Sequence, residues 1–232
     1  VLMFDVQPEV EALAAEIQQA TGNAARGLVA DVSSRSDVER VVAEVQSSFG
    51  GLDILVNNAG TWRRTPLDSS WDQALADWDF IMDTNLKGLL MLSRASVPLL
   101  RARGGGDIVN ISTYYVLPAK SEGTNQADTD LYNASKWAIN GFTDAWSKYL
   151  AKDNIRVNGM CMGATDTPML RGLFADGELP PGIAEVVMQP GDIAQQMLDL
   201  LADGRSGENI GAWVGEPVVV PPPAPPHRKV SG

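Results

Sequence analysis

Short apolar runs alternate with amphipathic stretches along most of this chain, and this alternation limits the fold more than any other feature. The apolar run from Val1 to Phe4 is followed by the segment from Pro8 to Ile17, whose apolar residues recur at helical spacing. This pattern predicts a strand and then a helix. The same alternation predicts further strands at Gly27–Val32, Leu52–Val56, Gly106–Ile111 and Ile155–Asn158, and helices within Val38–Phe49 and Trp71–Arg103. It therefore predicts an α/β fold, a doubly wound parallel sheet covered by helices on both faces.

Composition narrows the class of ligand. The chain of 232 residues is 44% hydrophobic, which suits one core and a single domain. A net charge of -11 argues against nucleic acid or an anionic membrane as partner. Cys161 is the only cysteine and His227 the only histidine, so neither an intrachain disulfide nor a Cys/His metal cluster is expected. With no apolar run long enough to span a membrane, we expect a cytoplasmic protein with a small-molecule ligand.

The chain divides into a domain at 1–215 and a tail at 216–232 that is rich in proline. Two stretches interrupt the regular alternation, Lys120–Asp130 and Met162–Gln189, and both are predicted to be loops near a site. Large apolar residues in the loops after two strands can either line an apolar pocket or serve ordinary loop packing. These residues are Trp62, Met169, Leu170, Leu173 and Phe174.

Tyr132 and Lys136 stand four residues apart, which places a phenol and an ammonium group on one face of a helix. A lysine cation favours the phenolate, and an oxidised nicotinamide would add to this effect, so the tyrosine pKa can approach the range of a general acid or base. The same spacing also fits a solvated helix face. The pair alone therefore leaves both interpretations open.

Other polar residues follow the predicted strands, where ligands bind in doubly wound sheets. Ser112 and Thr113 end one strand, and either can hold a substrate oxygen or satisfy backbone groups. After another strand, Asn58 can fix a loop or a ligand, and the small residues Ala59 and Gly60 permit a planar ligand to approach. Asn85 is a polar residue within an apolar helical stretch, where an amide satisfied by backbone is the alternative.

Taken in order, these motifs closely resemble the short-chain dehydrogenase/reductase family. The resemblance runs from about Val1 to Val214 and implies a single Rossmann-like domain. The segments that carry it are Asp31-Val32, Asn57-Asn-Ala-Gly60, Asn85, Asn110-Ile-Ser-Thr113, Tyr132-x-x-x-Lys136 and Gly163-x-x-x-Thr167-Pro-Met169.

The resemblance assigns catalytic roles to four residues. Tyr132 would donate or accept the proton, while Lys136 would lower the tyrosine pKa and bind the nicotinamide ribose. Thr113 would steady the substrate oxygen, and Asn85 would support a water-linked proton relay. The implied reaction is hydride transfer between nicotinamide C4 and a carbinol carbon, which interconverts a secondary alcohol and a ketone.

The resemblance also implies NAD as the cofactor. Asp5 ends the first strand at the position that reads the adenosine ribose, where a carboxylate accepts hydrogen bonds from the hydroxyls and repels a 2′-phosphate. Asp31 and Val32 match positions that contact adenine. The remaining matched positions lie in the turn after the next strand and in the loop beside the nicotinamide: Asn58, Ala59, Gly60, Met162, Gly163, Thr165 and Thr167.

Three departures from the family pattern concern the substrate side. The usual serine is Thr113, whose branched Cβ restricts the rotamer, and Ser112 is the alternative hydroxyl. Met162 stands where the family usually has proline. The acidic segment between Thr113 and Tyr132 is lengthened, so it can shape substrate choice or form a solvated loop.

A fourth departure concerns the cofactor phosphates: the sequence contains no Gly-x-x-x-Gly-x-Gly loop. We expect that the given sequence omits the family's first strand and this loop, because a sheet without that strand would expose apolar edges on both neighbours. The alternative is a shortened, non-catalytic binding or regulatory relative. An epimerase or dehydratase with bound NAD is disfavoured by length. The family also implies a homo-oligomer, a dimer or tetramer.

Overall fold

The computed structural model describes residues 1–117 and 127–223, in which parallel strands alternate with helices as predicted. The strands are β1 (Leu2–Asp5), β2 (Arg26–Val29), β3 (Ile54–Asn57), β4 (Gly106–Thr113), β5 (Ile155–Met162) and β6 (Asn209–Ala212). The helices are α1 (Glu9–Thr21), α2 (Arg35–Phe49), α3 (Trp71–Met82), α4 (Leu89–Ala102), α5 (Asp130–Leu150), α6 (Pro168–Arg171), α7 (Pro181–Ala184) and α8 (Pro190–Asp203). The predicted α/β fold with a parallel sheet is confirmed.

The sheet consists of two parts. Strands β1 and β2 pair with each other, and β3, β4, β5 and β6 form a separate sheet in that order. Within the described residues, the outer edges of β1 and β3 pair with no strand. Ile54 and Val56 on β3 are 45% and 37% exposed. Apolar side chains of β3 are therefore partly exposed at this side of the four-stranded sheet.

Local sequence signals explain where the helices of the first half begin and end. The Ser34 hydroxyl accepts a hydrogen bond from the backbone of Asp37 and caps α2, and Gly50 ends this helix in the left-handed conformation. The buried face of α2 carries Val38, Val41 and Val45 at helical spacing. This face packs into a core cluster that also contains residues of β4 and β5.

The helical stretch predicted within Trp71–Arg103 is interrupted. Helix α3 ends at Met82, a π-helical segment runs from Asp83 to Gly88, and α4 continues from Leu89. A Cβ on Gly88 would lie 2.6 Å from a side-chain carbon of Val32, so glycine is needed for this close packing. Asn85 lies within the π-helical segment and is buried. Such segments often occur at functional sites.

The second half contains structure that the sequence analysis did not predict. Helix α8 leads to strand β6, which is the fourth strand of the larger sheet. The predicted loop Met162–Gln189 contains α6, α7 and a bridge between Thr165 and Met188. Val218 and Val220, beyond the predicted domain end, pack against this part of the core. The predicted acidic loop lies mostly outside the described residues, since only 127–130 of it are described.

Candidate active site

The carboxyl ends of β3, β4 and β5 meet the first half of α5 at one edge of the larger sheet. The surroundings of Gly60 show how close the segments with the predicted catalytic residues lie to one another. A Cβ placed on Gly60 would lie 3.5 Å from Asn85 Oδ1 and 3.6 Å from Lys136 Nζ. The loop after β3, the π-helical segment and α5 therefore converge on one small region.

Tyr132 meets Thr113 at this edge. The Thr113 hydroxyl lies beside the Tyr132 phenol, and it is 3.5 Å from the carbonyl oxygen of Met162. Burial of the phenol raises the pKa of Tyr132 to about 12, while the Thr113 hydrogen bond opposes this shift and the nearby Tyr115 adds to it. Burial therefore favours the neutral phenol of Tyr132 over the phenolate.

Lys136 is buried one helical turn after Tyr132, and its Nζ donates a hydrogen bond to the Ile111 carbonyl oxygen at 3.0 Å. The ammonium lies 5.7 Å from the centre of the Tyr132 ring. Burial lowers the pKa of Lys136 to about 8, a shift that the neighbouring Cys161 opposes. In the chain alone the tyrosine pKa lies above its ordinary value, so the expected lowering by Lys136 does not dominate.

Ser112, the alternative hydroxyl, lies elsewhere. Its Oγ is 3.4 Å from the Lys136 carbonyl oxygen and hydrogen-bonds the buried thiol of Cys161. Successive side chains of a strand point to opposite faces, so Ser112 contacts the helix backbone while Thr113 faces the phenol. Of the two candidate hydroxyls, the structure brings Thr113 to Tyr132.

Asn85 anchors the loop that follows β3. Its Oδ1 accepts a hydrogen bond from Thr61 N at 2.7 Å, and its Nδ2 donates to Thr61 O at 3.0 Å and to Ser135 Oγ at 3.1 Å. Ser135 in turn donates to the Tyr132 carbonyl oxygen at 2.7 Å. The sequence analysis missed Ser135, although its place between Tyr132 and Lys136 on the same helix could have indicated it.

Beneath these residues, buried polar side chains hold the strands and helices together. Asn57 Nδ2 donates to Ser93 Oγ at 2.9 Å and to Asn110 Oδ1 at 2.8 Å, and Asn110 Nδ2 donates to Thr143 Oγ1 at 2.9 Å. This network joins β3, β4, α4 and α5. Only the motif around Asn57 and Asn110 gave a sequence signal, because the two helical partners come from distant segments.

Most of the residues predicted to lie on the adenosine side of the cofactor are exposed or half-buried. Asp5 and Asn58 are exposed, and Asp5 accepts a hydrogen bond from Gln7 N at 2.9 Å. Asp31 is half-buried and accepts from Ser33 N at 2.8 Å. Val32 is buried in the core against Gly88, so its side chain serves packing.

On the nicotinamide side, the predicted loop residues are half-buried and bonded locally. Thr165 Oγ1 donates to the Gly163 carbonyl oxygen at 3.2 Å, and Thr167 caps the short helix α6 by accepting from Leu170 N at 3.3 Å. Met162 lies at the end of β5 beside Thr113, its partner in register. Ala59 is exposed before Gly60.

The residues present fit the nicotinamide and ribose end of a dinucleotide. An ammonium group can donate three hydrogen bonds, and among described residues Lys136 Nζ makes one, to Ile111. A side chain on Gly60 would occupy the space between Lys136 and Asn85, which glycine leaves open. A ribose that offers hydroxyl acceptors at this point would satisfy the buried cation.

Sequence comparisons agree with the fold. The family model of the short chain dehydrogenases matches residues 1–178. A 3-oxoacyl-[acyl-carrier-protein] reductase of Thermotoga maritima is 33% identical over 79% of this chain and 73% of its own length. A tropinone reductase homologue of Arabidopsis thaliana is 37% identical over 72% of this chain, which spans 59% of that relative. The chain belongs to the short-chain dehydrogenase/reductase family and is an oxidoreductase of that family.

Solved structures show the same architecture. A 7α-hydroxysteroid dehydrogenase in complex with NADH and 7-oxo glycochenodeoxycholic acid has a TM-score of 0.79 and 27% identity, over 95% of this chain and 85% of its own. An L-sorbose reductase of Gluconobacter frateurii in complex with NADPH and L-sorbose also has a TM-score of 0.79 and 27% identity, over 91% and 84% of the two chains. No helix among the described residues is long and apolar enough to cross a membrane. Those residues also contain no cluster of metal-binding side chains.

Proposed function

We propose that this protein transfers hydride between NAD(H) and a secondary alcohol or ketone, with Tyr132 as the general acid and base. The observation that carries the proposal is the contact between the Thr113 hydroxyl and the Tyr132 phenol, one helical turn from the buried Lys136. A proton donor, a second hydroxyl and a buried cation are the groups needed to reduce a carbonyl.

In the direction of reduction, the Tyr132 phenol donates its proton to the carbonyl oxygen while the Thr113 hydroxyl holds that oxygen by a hydrogen bond. The raised pKa of Tyr132 keeps the phenol protonated before the reaction. When NADH is bound, its nicotinamide supplies the hydride that the carbonyl carbon receives. Lys136 binds the ribose and stabilises the phenolate left behind, and Asn85 holds the loop through Thr61. In oxidation the proton and the hydride each move in the opposite direction.

NAD rather than NADP is our proposal for the cofactor, supported by the position of Asp5 at the end of β1. A carboxylate there repels a 2′-phosphate. The two structural relatives named above bind NADH in one case and NADPH in the other, so the family supports a nicotinamide cofactor and Asp5 supports the narrower proposal.

For the substrate we propose a moderately hydrophobic alcohol or ketone. Apolar residues after β5 support this, since Met169 and Leu173 are 50% and 42% exposed beside the site loop. Leu170 and Phe174 are half-buried in the same segment after β5, and Trp62 is half-buried in the loop after β3. The hydroxysteroid dehydrogenase is in complex with 7-oxo glycochenodeoxycholic acid, which is consistent with such a pocket.

We further propose a cytoplasmic homo-oligomer, a dimer or tetramer, built from the domain at 1–215. Exposed aromatic side chains on α3 support assembly, because Trp71 and Trp78 are 85% and 51% exposed. Apolar patches of this kind commonly mark protein interfaces.

Tyr132→Phe tests the proposed function. This change removes the proton donor but keeps the ring, so turnover of a ketone with NADH is expected to fall by about 10²-fold to 10⁴-fold. NADH affinity, followed by nicotinamide fluorescence, is expected to stay within about twofold. Tyr149→Phe is the matched control, because Tyr149 lies on the same helix and is 63% exposed. Full activity in Tyr132→Phe would remove the proposed role, and NADH binding without turnover by the unaltered chain would favour a non-catalytic relative.

A further inference from the structure

The loop after β3 contacts helix α5 on both sides of Tyr132. On one side, Thr61 is held by Asn85, which contacts Ser135, and Ser135 donates to the Tyr132 carbonyl oxygen. On the other side, four residues further along the loop, Thr65 contacts the start of α5. The same short loop therefore brackets the first turn of the helix that carries the proposed general acid.

The contact on the second side involves both backbone and side chain of Thr65. Its backbone N–H donates to the Asp128 carbonyl oxygen at 2.7 Å. Its hydroxyl donates to Asp130 Oδ1, and the same oxygen accepts from Leu131 N at 2.7 Å. Thr65 itself is buried, with 5% of its surface exposed. A buried hydroxyl thus fixes the first residue of α5.

The start of α5 depends on such outside contacts. The first backbone N–H groups of a helix have no partner within the helix, so the first turn frays unless other groups hold it. Thr129 precedes the helix, and its hydroxyl accepts from the side chain of Asn133 at 3.2 Å without capping the backbone. Tyr132 is the third residue of the helix. Movement of this turn would move the phenol relative to Thr113.

We propose that Thr65 is a positioning residue, whose hydrogen bond to Asp130 fixes the first turn of α5 and so keeps the Tyr132 phenol against Thr113. The ion pair between Arg64 and Asp128, at 2.7 Å, lies beside this contact. Arg64 is 66% exposed, and exposed ion pairs contribute little, so the buried hydroxyl carries the effect. The catalytic consequence rests on the proposed function of Tyr132, whereas the structural one does not.

Thr65→Val removes the hydroxyl at nearly constant shape, and Thr65→Ser retains it. Small errors in the position of a reacting group are costly, so we expect kcat of Thr65→Val to fall by about tenfold. KM and NADH affinity are expected to stay within about twofold, and Thr65→Ser to keep nearly full activity. Asp130 is exposed to water, so loss of its partner leaves no buried charge and the variant is expected to fold.

Two readouts separate positioning from general stability. In the Tyr132→Phe background, Thr65→Val is expected to cause no further loss, because no phenolic hydroxyl remains to be positioned. The ¹³Cζ resonance of Tyr132, assigned by its absence in Tyr132→Phe, is expected to shift in Thr65→Val and to stay in place in Thr65→Ser. Thr21→Val is the control, because the Thr21 hydroxyl contacts only its own helix end through Ile17 O at 2.8 Å and Asn23 N at 3.2 Å.

An unchanged Tyr132 resonance together with unchanged kcat in folded Thr65→Val would overturn the proposal. An equal loss of activity with and without the Tyr132 hydroxyl would also overturn it, since that result indicates a structural role. Failure of the proposed function would show separately, as full activity of Tyr132→Phe. In that case the NMR shift alone would decide whether Thr65 positions the phenol.

Discussion

The carboxyl ends of β4 and β5 and the carboxyl end of β1 share parallel-strand geometry, but they differ in how deeply they are buried. Strands β4 and β5 are eight residues long, pair along their whole length, and are almost entirely buried. Strand β1 has four residues, pairs on one side with β2, and ends at an exposed carboxylate. Thr113 and Asp5 are each the last residue of a strand, yet Thr113 is 4% exposed while Asp5 is exposed to solvent.

This difference in burial indicates where a substitution can have a large effect on activity. Near Thr113, burial excludes water, and this raises the pKa of Tyr132 and lowers the pKa of Lys136. Around Asp5, water and salt screen the charge, so its influence on a ligand is smaller. We therefore expect the chemistry to be determined at β4 and β5, and the cofactor preference to be adjusted at β1.

The largest effect is expected for Thr113→Val, which removes the buried hydroxyl at the end of β4. Loss of one hydrogen bond to a reacting oxygen costs about 10²-fold in rate in other enzymes, and we expect a fall in kcat of that order. Thr113→Ser keeps the hydroxyl and should retain most activity. The measurement is kcat for ketone reduction with saturating NADH. Equal kcat values for the valine and serine variants would show that this hydroxyl has no catalytic role.

The next effect concerns Lys136 and the pH dependence of stability. Because its folded pKa of about 8 lies below the ordinary value of 10.5, the folded state holds fewer protons than the unfolded state between these pH values. The group therefore destabilises the fold below pH 8 and this cost diminishes as the pH rises toward 10.5. Lys136→Met should be more stable than the unaltered chain at pH 7, and the gap should shrink by about 2 kcal/mol at pH 9.5.

Urea unfolding at the two pH values measures this gap. Lys148→Met serves as the control, because Lys148 is 73% exposed on the same helix and pairs with Asp144. A stability gap for Lys136→Met that does not change with pH would mean that the pKa of the buried ammonium is not lowered.

The sequence was sufficient for the strands that end at the site and for the order of its motifs. Apolar runs indicated β4 and β5, and the spacing of Tyr132 and Lys136 indicated one helix face. The sequence could not show which of the two hydroxyls at the end of β4, Ser112 or Thr113, meets the phenol. The pairing of β4 with β5 and the contact of Ser112 with helix α5 show this only in the folded structure.

Contacts between distant segments escaped the sequence analysis. Thr65 and Asp130 are 65 residues apart, and a threonine in a polar loop gives no signal of such a partner. The π-helical segment around Asn85 was also missed, since its apolar pattern continues the helical period on both sides. Likewise β6 is short and contains glycine, which weakens the strand pattern.

A matched pair of substitutions on β3 and β4 tests how far burial determines the effect of a change. Val56 and Val109 lie side by side in register on β3 and β4, but Val56 is 37% exposed and Val109 is 1% exposed. Val109→Thr buries a hydroxyl and should cost about 1 to 3 kcal/mol of unfolding free energy. Val56→Thr should cost less than about 0.5 kcal/mol. Similar costs for both variants in urea unfolding would mean that the free edge of β3 is covered in solution.

The smallest effect is expected at the open end of β1. Asp5→Ala removes the carboxylate proposed to repel a 2′-phosphate, and since that charge is exposed the preference for NADH over NADPH should fall by only about fivefold. Fluorescence titration with each cofactor measures the ratio of the two dissociation constants. Glu16→Ala, on the exposed side of α1, changes the net charge equally and should leave the ratio unchanged. If both variants shift the ratio alike, the overall charge of the protein determines the preference, and Asp5 has no specific part in it.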